Sequence, residues 1–438
     1  MKTYRNTRRI AAIILALAML LSAALLPACT SESADPAGKD PGTGEPTSSP
    51  SDGETEDLPV PFTDEEAEAR FGHAEAHALP NIDGQYVYYV GTDPKDATFR
   101  TMYRYDCATG GIELVCRKPD CDHTEDSDCP FAGVMESTEI AAINGGVVYH
   151  GIMEDQIRWY DPETGESRVY DLGLGTWGRI FKAGNAVYYR REDDPKILPD
   201  HCQEMWRLDL ESGDSTMVGF SKKDDFSLAM TPYWLDGKET VIRNSSKGPN
   251  GEEATLYYDW LYRIDCASVG NGDDETLLYA KELPTPAVGV SGKYFFYVDT
   301  SASWNAEDKS TTFTGSLHIV DSSTGEEQIV TEKGGKYGNT VMTDHCILYL
   351  MKDPERKNAY ILHCYDYHTG ERTEYPLRGE IWESEGGTLM YDRGKIYFTM
   401  PGQYDEIGRP IHVADLVVWD IATGRQQVIR AGEISEEH

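Results

Sequence analysis

Apolar and polar positions recur in one arrangement along the chain. An Asp followed after two residues by Ser or Thr and then Gly closes an apolar run at Asp106, Asp161, Asp209, Asp321, Asp366 and Asp420; after Asp265 the same turn is stretched. The copies are 45 to 56 residues apart. Four residues ahead of each Asp the chain is apolar: Met102, Ile157, Met205, Leu261, Leu317, Leu362 and Leu416. The residue just ahead is apolar or aromatic too: Tyr105, Tyr160, Leu208, Ile264, Val320, Tyr365 and Trp419. These two positions have opposite parity, so they lie on opposite faces of a strand and both faces are expected to be buried. The Asp carboxylate can bond its own backbone two residues on, and the Gly takes the left-handed conformation that closes a short antiparallel loop.

A second turn precedes each of these hairpins, at Asp83-Gly84, Asn144-Gly145, Gly184-Asn185, Asp236-Gly237, Ser291-Gly292, Asp344-His345 and Arg393-Gly394, and an aromatic or β-branched run follows it. Two short turns per unit with longer connections between them predict a four-stranded meander, and self-similarity at this period marks a propeller or solenoid. The expected fold is therefore all-β, a seven-bladed β-propeller of four-stranded antiparallel blades over residues 77–431, with a tail at 432–438. Aromatic stripes such as Tyr294 to Tyr297 are read as core.

Ahead of the repeats, Lys2, Arg5, Arg8 and Arg9 lead into an apolar run from Ile10 to Leu26, a secretory signal over residues 1–28. Residues 29–60 are Ser, Thr, Gly, Pro, Asp and Glu with almost nothing apolar, which predicts a disordered tether. Over 61–76 a short helix is expected, with Thr63 as N-cap, Glu66 completing a capping box and Gly72 at its end. It would lead into the first blade or cover one end of the channel. His73 and His77 flank that entry and read as solvated.

Once the signal is removed, 36 basic side chains face 75 acidic ones, a net charge of −39. That field repels nucleic acid phosphates, so no nucleic acid partner is expected. Gly173-Leu-Gly175-Thr-Trp-Gly178 spells a dinucleotide pattern but opens no crossover helix, and no phosphate loop, zinc-protease or nucleophile-elbow motif is present. Asn244-Ser245-Ser246 spells a glycosylation acceptor and reads as an exposed loop.

Chemistry concentrates between the first and second units. Cys116, Cys121, His123 and Cys129 supply three thiols and one imidazole, the number and type for a closed tetrahedral site holding one structural zinc. Outside the cytoplasm the same thiols, with Cys107, could instead form disulfides; in either case a coreless loop is stapled. Cys346 and Cys364, symmetric about residue 355, are expected to face each other across a hairpin. The long connections emerge on one face, with Trp177, Trp304, Trp382, Tyr404 and Phe131 in or beside them. Trp304, Tyr404, Trp177 and Trp382 are the candidate partner-binding residues.

Leu26-Pro27-Ala28-Cys29 resembles the bacterial lipobox. That resemblance implies a lipid on Cys29 and a place on the outer side of the cell membrane. The repeats over roughly 75–431 resemble extracytoplasmic bacterial propellers of the TolB-like and YWTD-like type. With no catalytic constellation in view, the expected function is a surface-anchored, non-enzymatic lipoprotein that binds a protein, peptide or carbohydrate through its long-loop face. The alternative is a propeller enzyme such as a glycoside hydrolase or polysaccharide lyase.

Overall fold

The computed structural model describes residues 60–74, 81–93, 100–118, 121, 123, 129–132, 134, 138–150, 156–172, 179–192, 201–222, 229–235, 238–245, 260–265, 275–280, 289–305, 310–332, 340–353, 355–356, 360–377, 389–399 and 416–429. All of them belong to the second of two compact units, Asp57–His438.

This unit is built of antiparallel sheets taken in chain order. The first is three-stranded: β1 (Tyr86–Thr92), β2 (Arg100–Asp106) and β3 (Ile112–Leu114). Six four-stranded sheets follow. They are β4 (Glu139–Ile143), β5 (Gly146–His150), β6 (Gln156–Tyr160) and β7 (Ser167–Asp171); β8 (Arg179–Ala183), β9 (Ala186–Glu192), β10 (His201–Leu208) and β11 (Ser215–Lys222); β12 (Ala229–Leu235), β13 (Lys238–Ser245), β14 (Trp260–Asp265) and β15 (Glu275–Ala280). The last three are β16 (Gly289–Ser291), β17 (Tyr294–Asn305), β18 (Ser310–Asp321) and β19 (Glu326–Thr331); β20 (Thr340–Met342), β21 (Cys346–Lys352), β22 (Tyr360–Asp366) and β23 (Arg372–Pro376); and β24 (Leu389–Asp392), β25 (Lys395–Thr399), β26 (Leu416–Asp420) and β27 (Gln426–Ile429).

The architecture is thus an all-β propeller with six four-stranded blades, one fewer than the seven expected. The difference lies in the first unit, where the described residues show a single bridge, Ile82 to Val87, in the place of an inner strand. Backbone bonds from Tyr88 to Asn81 (2.9 Å) and from Asp83 to Tyr86 (3.2 Å) flank that bridge.

Hydrophobic clusters lie between successive sheets. Ile143 and Tyr170 meet Val187 and Tyr189, Tyr188 meets Met230, and Tyr233 meets Phe295. Phe296 meets Ile347 and Tyr349, and Leu348 meets Tyr391 and Trp419. The first sheet packs on the last through Val87, Tyr103, Tyr397 and Leu416, so among the described residues packed faces join the two ends. Lys395 donates to the Cys107 carbonyl (3.0 Å) at this seam.

The repeated turns form as their chemistry requires. In all six Asp turns among the described residues, the Gly amide donates to the Asp carbonyl at 2.7 to 2.9 Å, and each of these glycines has positive φ. At Asp161 the carboxylate also accepts from the Glu163 amide (2.8 Å) and the Thr164 hydroxyl (2.7 Å). The Ser or Thr hydroxyl in turn accepts from the amide two residues on, as Thr369 does from Glu371 (3.3 Å). This explains why the motif needs a hydroxyl just before its Gly.

Burial alone would raise the Asp321 carboxyl, but the Lys293 ammonium at 2.6 Å and the Ser323 hydroxyl outweigh it and lower it to about 2. A folded-state value below the unfolded value of about 3.9 contributes stability above that pH and loses it as pH falls through the folded value. The melting temperature of Asp321→Asn should therefore fall less than that of the wild type between about pH 4 and pH 2. Equal slopes in the two acid melting series would refute this role.

Helix α1 (Asp64–Phe71) carries the caps its sequence calls for. Glu66 N donates to Thr63 Oγ1 (3.2 Å), Thr63 N donates to Glu66 Oε2 (2.9 Å), and Gly72 ends the helix. Its buried face, Ala67 and Phe71, packs among Tyr375, Tyr391 and Trp419 on the last two blades. The chain then bonds the β20–β21 turn through His73 N to Asp344 Oδ1 (2.7 Å). Gly72 is required there, since a Cβ would lie 2.0 Å from Asp344 Oδ1.

Three finer expectations change. Cys346 is paired with Asp366 and Cys364 with Leu348, so the two cysteines sit diagonally and both are free. Asn244 and Ser245 are buried at the end of β13, because the strand runs on through them. Phe131 is wholly buried between Tyr149 and Tyr160, covering the core.

Candidate metal centre

Beyond β3 the chain leaves the sheet at Val115 and folds back over the seam between the first two sheets. Phe131 anchors this return by packing among Tyr88, Met102, Val147 and Tyr149. Cys116 and Cys129 belong to the same apolar cluster, so the loop carries its own polar chemistry inside a hydrophobic wall.

Cys116, Cys121, His123 and Cys129 converge: their donor atoms all lie within 4.8 Å of one another. Cys116 Sγ and Cys129 Sγ are 3.6 Å apart, near the separation of about 3.8 Å that two thiolates take on one tetrahedral zinc with bonds of about 2.3 Å. All the thiols are free. His123 has φ of +53°, a left-handed conformation uncommon outside Gly. His123 Nδ1 bonds Asp93 Oδ2, and both side chains are at most 3 % exposed. With Nδ1 engaged, Nε2 is the ring atom left to meet the sulfurs, the arrangement in which a carboxylate orients a metal-binding imidazole. The Phe131 amide donates to Cys129 Sγ at 3.4 Å.

Electrostatics favour a thiolate here. The hydrogen bond from Cys129 is the largest influence on Cys116 and outweighs burial, and with help from His123 and the Lys118 amide it holds the thiol well below the usual range. Cys129, the donor in that bond, is pushed up. The Cys116 hydrogen bond likewise outweighs burial at His123 and raises its imidazole, with Asp93 adding to it. The residues form a buried Cys3His cluster that could hold a metal, and its donor set fits a four-coordinate structural zinc. A closed set of this kind leaves no open position for a substrate.

The remaining candidates are less defined. Trp304 lies in β17 opposite Thr311. Cys29, Trp177, Trp382, Tyr404 and His77 lie outside the described residues. His73 sits beside Glu68, with Nε2 2.9 Å from its carboxylate. Sequence reasoning missed Asp93, which is 30 residues from His123, and spacing within the loop gave no sign of it.

Fold and cluster together define the class: a β-propeller with a buried Cys3His loop between two of its sheets. No protein-family model matches the chain, and no curated protein matches it. Among solved structures it is similar in fold to a puromycin hydrolase, at 16 % identity and a TM-score of 0.47, over 87 % of this chain but only 57 % of that one. The polysaccharide lyase Uly1 aligns at 10 % identity with a TM-score of 0.46, covering 83 % of this chain and 91 % of that one. A chain of a nidogen/laminin complex aligns at 12 % identity and a TM-score of 0.33, covering 67 % of this chain and 92 % of that one. A hydrolase, a lyase and a complex thus stand among the neighbours, and no single activity is shared by them.

Proposed function

We propose that this chain is a lipid-anchored, extracytoplasmic binding protein that engages a protein or carbohydrate partner through its long-loop face and catalyses no reaction. On this reading the three-stranded first sheet, with Ile82 as its residual inner strand, is the seventh blade. Cys116, Cys121, His123 and Cys129 hold one structural zinc, and Cys29 carries the lipid.

One observation carries the binding role. β17 and β18 are 12 residues each and pair throughout, from Tyr294↔Asp321 to Asn305↔Ser310. Among the described residues their neighbours stop early: β16 pairs only as far as Phe296 and β19 only as far as Leu317. Residues 300–305 and 310–315 therefore extend the blade as a two-stranded arm about 20 Å long, at roughly 3.3 Å per residue. A lone hairpin is marginal in water and its open edges invite strand pairing, so an arm like this is a cost to the fold that a docked partner offsets. Trp304 lies within it, where the sequence placed a partner anchor. The strand signal in the segment is its β-branched residues, Thr300, Thr311, Thr312 and Thr314.

Replacing residues 301–314 by Asn-Gly tests this. In-cell crosslinking of the full chain should give partner adducts that the shortened chain lacks, while its melting temperature stays within about 2 °C. Identical adducts from both chains would contradict the binding role. Cys29→Ser should in parallel release the protein from the membrane fraction.

A further inference from the structure

We propose that Ser316 is a covalent acylation site: an activated hydroxyl that takes the acyl group of an activated ester, with His318 as its base and Glu327 positioning that base. The capture is stoichiometric, one acyl group per chain, and needs no turnover. It is independent of the arm and of the metal centre.

Three side chains meet on one face of the sheet. Ser316 and His318 are two residues apart in β18, so both point to the same face. Ser316 Oγ lies 2.7 Å from His318 Nε2, and His318 Nδ1 lies 2.7 Å from Glu327 Oε1 in β19. Glu327 pairs with Val320, the next residue of β18 on that face, and so reaches the ring diagonally. Tyr297, opposite His318 in β17, holds the flat side of the ring, with 4.8 Å between centroids and 10° between planes. The Tyr297 hydroxyl donates to the same Glu327 oxygen.

These contacts place the protons. An ionised carboxylate accepts and cannot donate, so Nδ1 carries the ring proton and Nε2 of the neutral ring accepts from the Ser316 hydroxyl. Nucleophile, base and orienting carboxylate then stand in the order that activates a serine, an arrangement recognised by geometry and not by place in the chain. Ser316 is half-buried, and 12 % of the His318 and 41 % of the Glu327 side chain are exposed, so the group is open to solvent. The fold does not require the hydroxyl. In the next blade Tyr349 stacks on His363, three residues ahead of Asp366 as His318 is of Asp321, and Glu374 lies 3.5 Å from His363 Nδ1. There Ile361 takes the place of Ser316.

The test exposes the full chain to p-nitrophenyl acetate and maps the acetyl groups by peptide mass spectrometry. Ser316 Oγ bonds the acyl carbon as the ester C–O bond breaks; the serine proton passes through His318 Nε2 to water, p-nitrophenolate leaves with the electron pair, and nothing is oxidised or reduced. Ser316 should carry one acetyl group, absent in Ser316→Ala. His318→Gln should slow its transfer by about 100-fold or more, and Glu327→Gln by about tenfold, whereas Glu327→Asp, which keeps the charge, should recover part of that loss. His363→Gln should leave the rate unchanged. Acetyl groups on lysines alone, no acetylation at all, or transfer to Ser316 at the wild-type rate in His318→Gln overturns the proposal. Equal rates in Glu327→Gln and Glu327→Asp overturn the part given to Glu327.

Discussion

Cys129→Ser is expected to abolish metal binding and lower the melting temperature by roughly 4 °C, a loss of about 3 kcal/mol for a domain of this size. A metal that binds only the folded loop adds its binding free energy to folding, and this loop offers little else. Its one large apolar anchor among the described residues is Phe131, two residues past Cys129, whose amide bonds that same sulfur. Releasing the sulfur therefore loosens the seam between the first two sheets as well as the loop. Asp93→Asn keeps all four donors but weakens the hold on His123 Nδ1, so it should cost about 10- to 100-fold in metal affinity and less in stability. Cys107→Ser, at a buried thiol on the seam between the first and last sheets, should leave metal content unchanged. Differential scanning calorimetry with and without a chelator separates these cases. If a thiol reductant lowers the transition and a chelator does not, the staple is a disulfide.

Trp419→Ala is the second large effect, a loss of about 3 to 5 kcal/mol in chemical denaturation. Trp419 is fully buried in the cluster that joins the last two blades to helix α1, among Leu348, Tyr391, Ile396 and Phe71. Truncation removes the apolar contacts and leaves a cavity between two sheets that are each pinned by their own ladders, so collapse is limited. Trp234, 41 % exposed and lying over Gly184, is the comparison: its Ala variant should cost less than about 1 kcal/mol. Equal losses at the two tryptophans would contradict the packing described here.

What was legible in the chain was local. The Asp turn and the capping box each close within six residues, so their chemistry can be read off directly, and both stand in the structure as expected. Convergence of Cys116, Cys121, His123 and Cys129 was also readable, because residue type and proximity in the chain bring the four together. Features set by register or by distant packing were not. Cys346 and Cys364 were centred on residue 355, whereas the observed pairs centre on 356, which moves the thiols from opposite to diagonal. The inner strand of the first unit is too short to leave a pattern of its own. Asp93 reaches His123 only because the loop after β3 folds back beside the end of β1, which no spacing along the chain encodes.

The most direct measurement is native mass spectrometry of the chain without residues 1–29, purified without added metal, together with titration of its free thiols. The account predicts one zinc per chain, lost together with protection of Cys116, Cys121 and Cys129 when a chelator is added. Metal-free protein with those cysteines in disulfides would contradict it.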